Sequence, residues 1–250
     1  MRRLATLSST VIAAALLAAC SNGPAASQLK GLSPAKAVAK ACQASLSAGG
    51  VTASSTVQVQ GAPELKAEIT YSGANSQGTL DYGKGGRAEE IGTATAMYLK
   101  GDLAFWRTVT AGIKIPDKVL TAMPKGWFSV SAKAASPNLR LNILRYGDPR
   151  FVVKGCTGKV KGVSAAGKGS IDGQAVLRFQ AVDPSGTKVS ISASNEGEPY
   201  VLKLAADSGS TKLNLDYSNY GATVDVSAPK GSVDLLHMLS VVMALSGQGL

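Results

Sequence analysis

Hydrophobic and polar positions divide the chain into stretches of different period. After Arg2 and Arg3, residues 4–19 form one run of apolar and small residues that ends Leu17-Ala18-Ala19-Cys20. Residues 21–31 are rich in Ser, Ala and Gly and show no period. Ser33-Pro34 then supplies an N-cap and a first helical position. Val38, Ala39, Cys42 and Leu46 recur at helical spacing, and Gly49-Gly50 stops the helix. From Val51 the period becomes two. Val51, Ala53, Val57 and Val59 alternate with Thr52, Ser54, Thr56 and Gln58, and Leu65, Ala67, Ile69 and Tyr71 with Lys66, Glu68 and Thr70. This is the pattern of antiparallel strands with one face in a core. Further strands are predicted at 78–82, 87–92 and 95–100, with turns at Gly83-Lys84-Gly85-Gly86 and Gly92-Thr93.

The middle of the chain returns to helical spacing. Asp102 caps 103–109, Pro116-Asp117 opens 118–123, and Ser136-Pro137 opens 138–146. Trp127 to Val130 reads as a short strand between the last two. A second meander follows at 175–182, 187–193, 200–205, 212–217 and 223–227, punctuated by Asp-Pro-Ser-Gly, Asn-Glu-Gly-Glu-Pro, Asp-Ser-Gly and Asn-Tyr-Gly turns. Residues 232–245 are apolar and helix-like, and too short to span a bilayer. The class is therefore α+β. A twisted sheet of about ten or eleven antiparallel strands tends to curl, and the helical excursion between its halves can cover the concave face. Residues 32–235 make one domain, followed by an apolar tail at 236–250.

The first twenty residues have the parts of an export signal: two cations, a short apolar run and small residues before a cleavage point. Leu17-Ala18-Ala19-Cys20 resembles a bacterial lipobox. The resemblance implies that residues 1–19 are a lipoprotein signal peptide, cut off after Cys20 takes a diacylglyceryl group. The new N-terminus at Cys20 is then acylated, and residues 20–31 form a lipidated tether. Removal of 1–19 takes away two arginines and no acids, so the formal charge falls from +10 to +8. The lysines are scattered, which suits solubility on an exported surface, and no stacking motif accompanies them, so nucleic acid is not an expected partner. Two further cysteines, Cys42 and Cys156, are an even pair in an exported chain; they make a disulfide or remain two buried thiols, and the disulfide is favoured.

Catalytic chemistry finds little to stand on. His237 is the single histidine, in an apolar tail with Asp234 as its nearest acid, which leaves no triad or histidine metal site. Ser-x-x-Lys occurs at Ser27, Ser33, Ser185 and Ser227 without the Ser-Asp-Asn and Lys-Thr-Gly partners of that enzyme class. No phosphate-loop pattern occurs. Glu89 and Glu90 point to opposite faces of one strand. The expectation is a protein without enzymatic activity or cofactor.

The stretch from Arg87 through Tyr98-Leu99-Lys100 to Phe105-Trp106 resembles actinobacterial lipoproteins of the LppX/LprG type. So do Lys125-Gly126-Trp127-Phe128-Ser129-Val130, Pro199-Tyr200-Val201-Leu202-Lys203-Leu204 and Asp216-Tyr217-Ser218-Asn219-Tyr220-Gly221. The resemblance covers most of 51–235, and the tail from His237 departs from it. It implies a half-barrel related to the LolA/LolB carriers, with a hydrophobic cavity that holds acyl chains of a lipid or lipoglycan. The protein would be a monomer on the extracytoplasmic face of the membrane, with an envelope transporter as a further partner. The apolar positions that could form the cavity wall, or fill an ordinary core, are Val57, Leu65, Ile69, Met97, Leu99, Phe105, Leu120, Met123, Leu141, Leu144, Leu177, Phe179 and Leu204, with Trp106 beside Phe105 as wall or plug.

Overall fold

A computed structural model describes residues 27–112, 115–123, 125–131, 161–182 and 185–245. Helix α1 (Pro34–Ser47) leads into β1 (Gly50–Val59). The meander continues through β2 (Leu65–Ser72), β3 (Asn75–Asp81), β4 (Arg87–Gly92) and β5 (Ala96–Gly101). Helices α2 (Leu103–Val109) and α3 (Asp117–Ala122) precede β6 (Phe128–Ser131). The second meander comprises β7 (Lys161–Ile171), β8 (Gln174–Val182), β9 (Lys188–Ser194), β10 (Val201–Asp207) and β11 (Thr211–Ser218). A two-residue β12 (Val233–Asp234) and helix α4 (Leu235–Leu245) close the chain.

All twelve described strands form one sheet in the order β12-β6-β5-β4-β3-β2-β1-β11-β10-β9-β8-β7. Neighbours are antiparallel except β12, which lies parallel to β6. The two meanders meet where β1 pairs with β11, from Thr52 opposite Ser218 to Val59 opposite Thr211. The chain leaves the sheet from β6 near one edge and re-enters at β7 on the opposite edge.

Register puts the apolar positions on one face. Phe128 opposes Leu99, Leu80 opposes both Ala88 and Ala67, and Ile69 opposes Ala53. Val57 opposes Leu65 and Leu213, Leu204 opposes Leu215 and Ile191, and Ile191 opposes Phe179. The core that these residues build also takes in Ala37, Val38, Ala41 and Cys42 from α1, Phe105 and Trp106 from α2, Leu120 from α3, and Leu235 and Leu239 from α4. The helices therefore cover one face of the sheet, and the α+β half-barrel is the observed architecture. The other face carries cross-strand polar pairs such as Thr52–Thr70, Lys100–Glu89 and Lys203–Asp216.

Local chemistry accounts for the turns. Asp172 and Gly173 both have positive φ, at 48° and 82°, which makes the β7–β8 connection the tight hairpin that Asp-Gly favours. Asp81 Oδ1 accepts from Gly83 N at 2.6 Å and shapes the 3-10 turn Gly83–Gly85.

Two expectations differ from what is observed. Strand β7 has no alternating apolar signal, since its sequence is Lys-Gly-Val-Ser-Ala-Ala-Gly-Lys-Gly-Ser-Ile; pairing with β8 holds it extended. Residues 223–227 form no strand. Their backbone leaves the ladder after the Asn219-Tyr220-Gly221 turn, where Gly221 N donates to Gly50 O at 2.8 Å. Leu29, ahead of α1, also belongs to the core at 2% exposed. At the other end, the tail beyond 235 includes Leu239, buried in the common core. The helix expected at 138–146 and Cys156 lie outside the described residues.

One polar knot pins α1 to the second meander. Ser45 Oγ donates to Ala41 O at 2.9 Å and accepts from Val201 N at 2.9 Å. The Tyr220 hydroxyl lies 3.3 Å from the same Oγ and donates to Val201 O, and its ring stacks on Tyr200 with centroids 4.1 Å apart. Burial pushes the Tyr220 phenol well above its ordinary value, more than the Ser45 contact lowers it. A phenol that ionises more readily in the unfolded chain stabilises the fold fully below its unfolded pKa. That contribution is lost as pH rises from about 10 toward the folded value. We therefore expect the urea midpoint to fall above about pH 10. Tyr220→Phe should show a shallower fall, read by denaturation series across that range.

Candidate ligand cavity

A hollow lies between α2, α3 and the sheet at β3–β5. It is a half-open cleft of about 780 Å³. Leu80, Ala88, Leu103, Trp106, Leu120 and Met123 give it apolar lining. Charged residues of both signs stand around it: Arg87 pairs with Asp81 at 2.8 Å, Lys100 pairs with Glu89 at 3.2 Å, and Asp102 and Lys125 complete the set.

Helix α2 owes its place to Asp102. Its Oδ1 accepts from Phe105 N at 2.7 Å and its Oδ2 from Arg87 N at 3.0 Å, so one carboxylate caps the helix and ties it to β4. Gly86 makes room for this, with φ at +95°; a Cβ there would lie 2.0 Å from Phe105 N and 2.3 Å from Asp102 Oδ1. The capped helix sets Phe105 and Trp106 into the core. Phe105 meets Trp106 edge-on at 5.2 Å, and Trp106 meets Phe128 in the same way at 5.0 Å. Trp106 Nε1 donates to Gly101 O at 3.1 Å, so the indole is both packed and hydrogen-bonded. Arg107 grips Asp117 with two bonds of 2.7 and 2.9 Å, which joins α3 to α2 over the cleft. That hydrogen-bonded pairing holds the Asp117 carboxyl below the usual carboxylate range and the guanidinium above its own.

The predicted wall residues are distributed along the whole concave face. Leu120 and Met123 line the cleft, while Leu177 and Phe179 line a second hollow beside the start of α1. Val57, Leu65, Ile69, Leu99, Phe105 and Leu204 are buried members of the same core, and Met97 packs against it. Leu141, Leu144 and Cys20 lie outside the described residues. Cys42 is buried on α1, and its expected partner Cys156 is not among the described residues. Leu80, Ala88 and Leu103 belong to the cleft but carry little sequence signal, because β3 is mostly polar and Leu103 opens a short helix. Glu90 is the other residue the pattern does not mark. It is 5% exposed on the concave side, where Ser76 Oγ donates to its Oε1 at 2.9 Å. Gly92 leaves room for the pair, since a Cβ there would lie 2.0 Å from Ser76 Oγ.

The serines of the Ser-x-x-Lys matches have structural surroundings: Ser27 Oγ donates to Asn195 Oδ1 at 2.6 Å, and Ser33 is the N-cap residue of α1. His237 N donates to Asp234 Oδ1 at 2.8 Å at the start of α4, so that acid caps a helix. Among the described residues, no three His, Cys, Asp or Glu side chains are grouped as metal ligands, and no helix is long and apolar enough to cross a membrane.

Comparison with solved structures locates this architecture. LppX, a lipoprotein of Mycobacterium tuberculosis, superposes with a TM-score of 0.53 at 13% identity, over 78% of this chain and 98% of its own. The chain has the LppX-type half-barrel fold. LprF from Mycobacterium bovis gives 0.51 at 15% identity, over 79% of this chain and 97% of its own. A LolA-superfamily protein from Nitrosomonas europaea matches over 78% of this chain and 96% of its own, at 8% identity and a TM-score of 0.25. No protein-family model and no curated protein sequence matches the chain.

Removing the Asp102 side chain tests how the cleft is held open. Asp102→Ala should destabilise the protein by about 1–2 kcal/mol in urea, as the loss of a helix cap does. Its tryptophan emission should shift to the red as Trp106 loosens, while Asp117→Ala at the exposed Arg107 pair should leave emission nearly unchanged.

Proposed function

We propose that the protein is an extracytoplasmic lipoprotein, anchored through Cys20, that holds acyl chains of a lipid or lipoglycan against its concave face. It carries or presents that lipid in the cell envelope. The observation that carries this reading is the cleft between α2, α3 and β3–β5: its volume lies in the range of about 300–1,000 Å³ typical of small-molecule sites, and Leu80, Ala88, Leu103, Trp106, Leu120 and Met123 give it an apolar wall with charged residues around it. The LppX-type fold supports it by supplying a large curved sheet with one apolar face. Acyl burial needs no reactive group; it removes apolar area from water at about 25 cal/mol per Å². The mixed charges around the cleft then remain near the polar head. In this reading the protein performs no catalysis, acts as a monomer and exchanges lipid with an envelope transporter.

Native mass spectrometry of the gently purified protein should show an added mass that organic extraction releases as lipid. Met123→Trp and Leu103→Trp, which fill the cleft from partly buried positions, should reduce lipid uptake tenfold or more (about 1.4 kcal/mol) without unfolding. A clean protein mass after incubation with host lipid extract would instead favour an envelope lipoprotein that acts through its surface alone.

Cys42 and Cys156 are proposed to form a disulfide that ties α1 to the excursion between the meanders. A Cys20→Ser chain, denatured without reductant, should then take up no alkylating reagent. Reduction should cost about 2–4 kcal/mol of stability. Labelling of both thiols before reduction would exclude the bridge.

A further inference from the structure

The second hollow has a different electrostatic character. It is a half-open cleft of about 350 Å³ between the start of α1 and strands β7 and β8. Leu29, Leu32, Ala37, Leu177 and Phe179 give it apolar lining. The charged residues lining it are Lys30, Lys168 and Arg178, with no acid among them. The larger cleft, by contrast, is lined by three acids and three bases. Lys30 and Lys168 are exposed, and neither pairs with an acid among the described residues. Leu32 is 38% exposed, an apolar side chain standing beside those cations.

This cleft also lies at the root of the N-terminal chain. Ser27 lines it, and Ser27 Oγ is fixed to Asn195 Oδ1 at 2.6 Å. Gln28 Nε2 donates to Glu198 at 3.2 Å, and Gln28 O accepts from Lys40 Nζ at 3.2 Å. The point where the chain departs is therefore set by the fold. Cys20 is seven residues ahead of Ser27. A chain of that length reaches at most about 25 Å even when fully extended. An anchor at Cys20 would hold this cleft, and no distant part of the molecule, close to the bilayer surface.

We propose that the tether-root cleft is a docking site for an anionic phospholipid of the membrane. The lipid phosphate lies against Lys30 and Lys168, and the upper part of one acyl chain enters the apolar slot beside Leu32. The proposal rests on the lipid anchor at Cys20 and is independent of the cargo held in the larger cleft. Each lysine near an anionic surface contributes to binding through charge, and the exposed leucine through burial. The contact would orient the anchored protein, with the open edge of the half-barrel at β7 facing the membrane.

The test uses the chain from residue 20 onward with Cys20→Ser, sedimented with vesicles of phosphatidylcholine alone or equimolar phosphatidylcholine and phosphatidylglycerol. Binding should require phosphatidylglycerol and weaken with salt. Lys30→Gln with Lys168→Gln should lower affinity about twentyfold, while Lys66→Gln with Lys118→Gln on other surfaces should lower it less than about threefold. Leu32→Ser should weaken binding with both lysines intact. Both double variants should keep the wild-type circular dichroism and any lipid mass carried in the larger cleft, so a failed cargo reading would not be mistaken for a failed docking site. Equal loss in the two double variants would reduce the effect to net charge and overturn the proposal. So would equal binding to neutral vesicles, no binding at all, or stronger displacement by inorganic phosphate than by chloride at matched ionic strength, which would mean a free-phosphate site.

Discussion

The pairing of β1 with β11 is the seam on which the architecture depends. Each meander is built from local hairpins, and the two halves share no other strand pairing among the described residues. Eight residue pairs in register join them, from Thr52 opposite Ser218 to Val59 opposite Thr211. That register sets Val57 beside both Leu65 and Leu213, so the apolar rows of the two halves run on without a break. A slip of one residue would turn every side chain of one half to the opposite face. The continuous wall and the single core follow from this one ladder.

Polar groups inside the core sit where geometry must be specified. Ser45 meets a helix carbonyl, a strand amide and the Tyr220 hydroxyl at one oxygen, which fixes α1 against the second meander. On the other half, Ser76 and Glu90 meet where Gly92 leaves space. Buried hydrogen-bonded groups of this kind add little net stability when satisfied, but losing one partner is costly, so they favour one arrangement over its neighbours. Asp102 applies the same logic at the cleft, where one carboxylate serves a helix end and a strand end together.

Charge divides the surface by function more than by stability. The cross-strand pairs Lys100–Glu89 and Lys203–Asp216 are about half-exposed and, like most such pairs, contribute little to folding. Their effect is to keep the outer sheet face mixed in sign and soluble. The larger cleft inherits that balance. The tether-root cleft does not, and its unbalanced cations stand where the chain leads toward Cys20.

Much of this was legible in the residues themselves. Period-two alternation located β1, β2 and β8 to β11, and cap and turn chemistry located α1, α2 and the hairpins, because those signals act between residues close in sequence. The described residues expected to form a cavity wall or fill a core lie in one cluster, with Met97, Met123 and Leu177 packed against it. Contacts between distant residues were not legible. Strand β7 is extended because β8 pairs with it, although its own side chains prefer no ladder. Residues 223–227 alternate yet form no strand, because β1 already occupies the edge of β11. The Ser45–Tyr220 knot spans 175 residues and has no local pattern. Local preferences thus determined most of the strands and helices, and the apolar face of each, but not β7 or the end of the second meander. The order of the strands, the joining of the two meanders and the shape of the clefts were decided only by tertiary packing, because they depend on which distant backbone satisfies each edge.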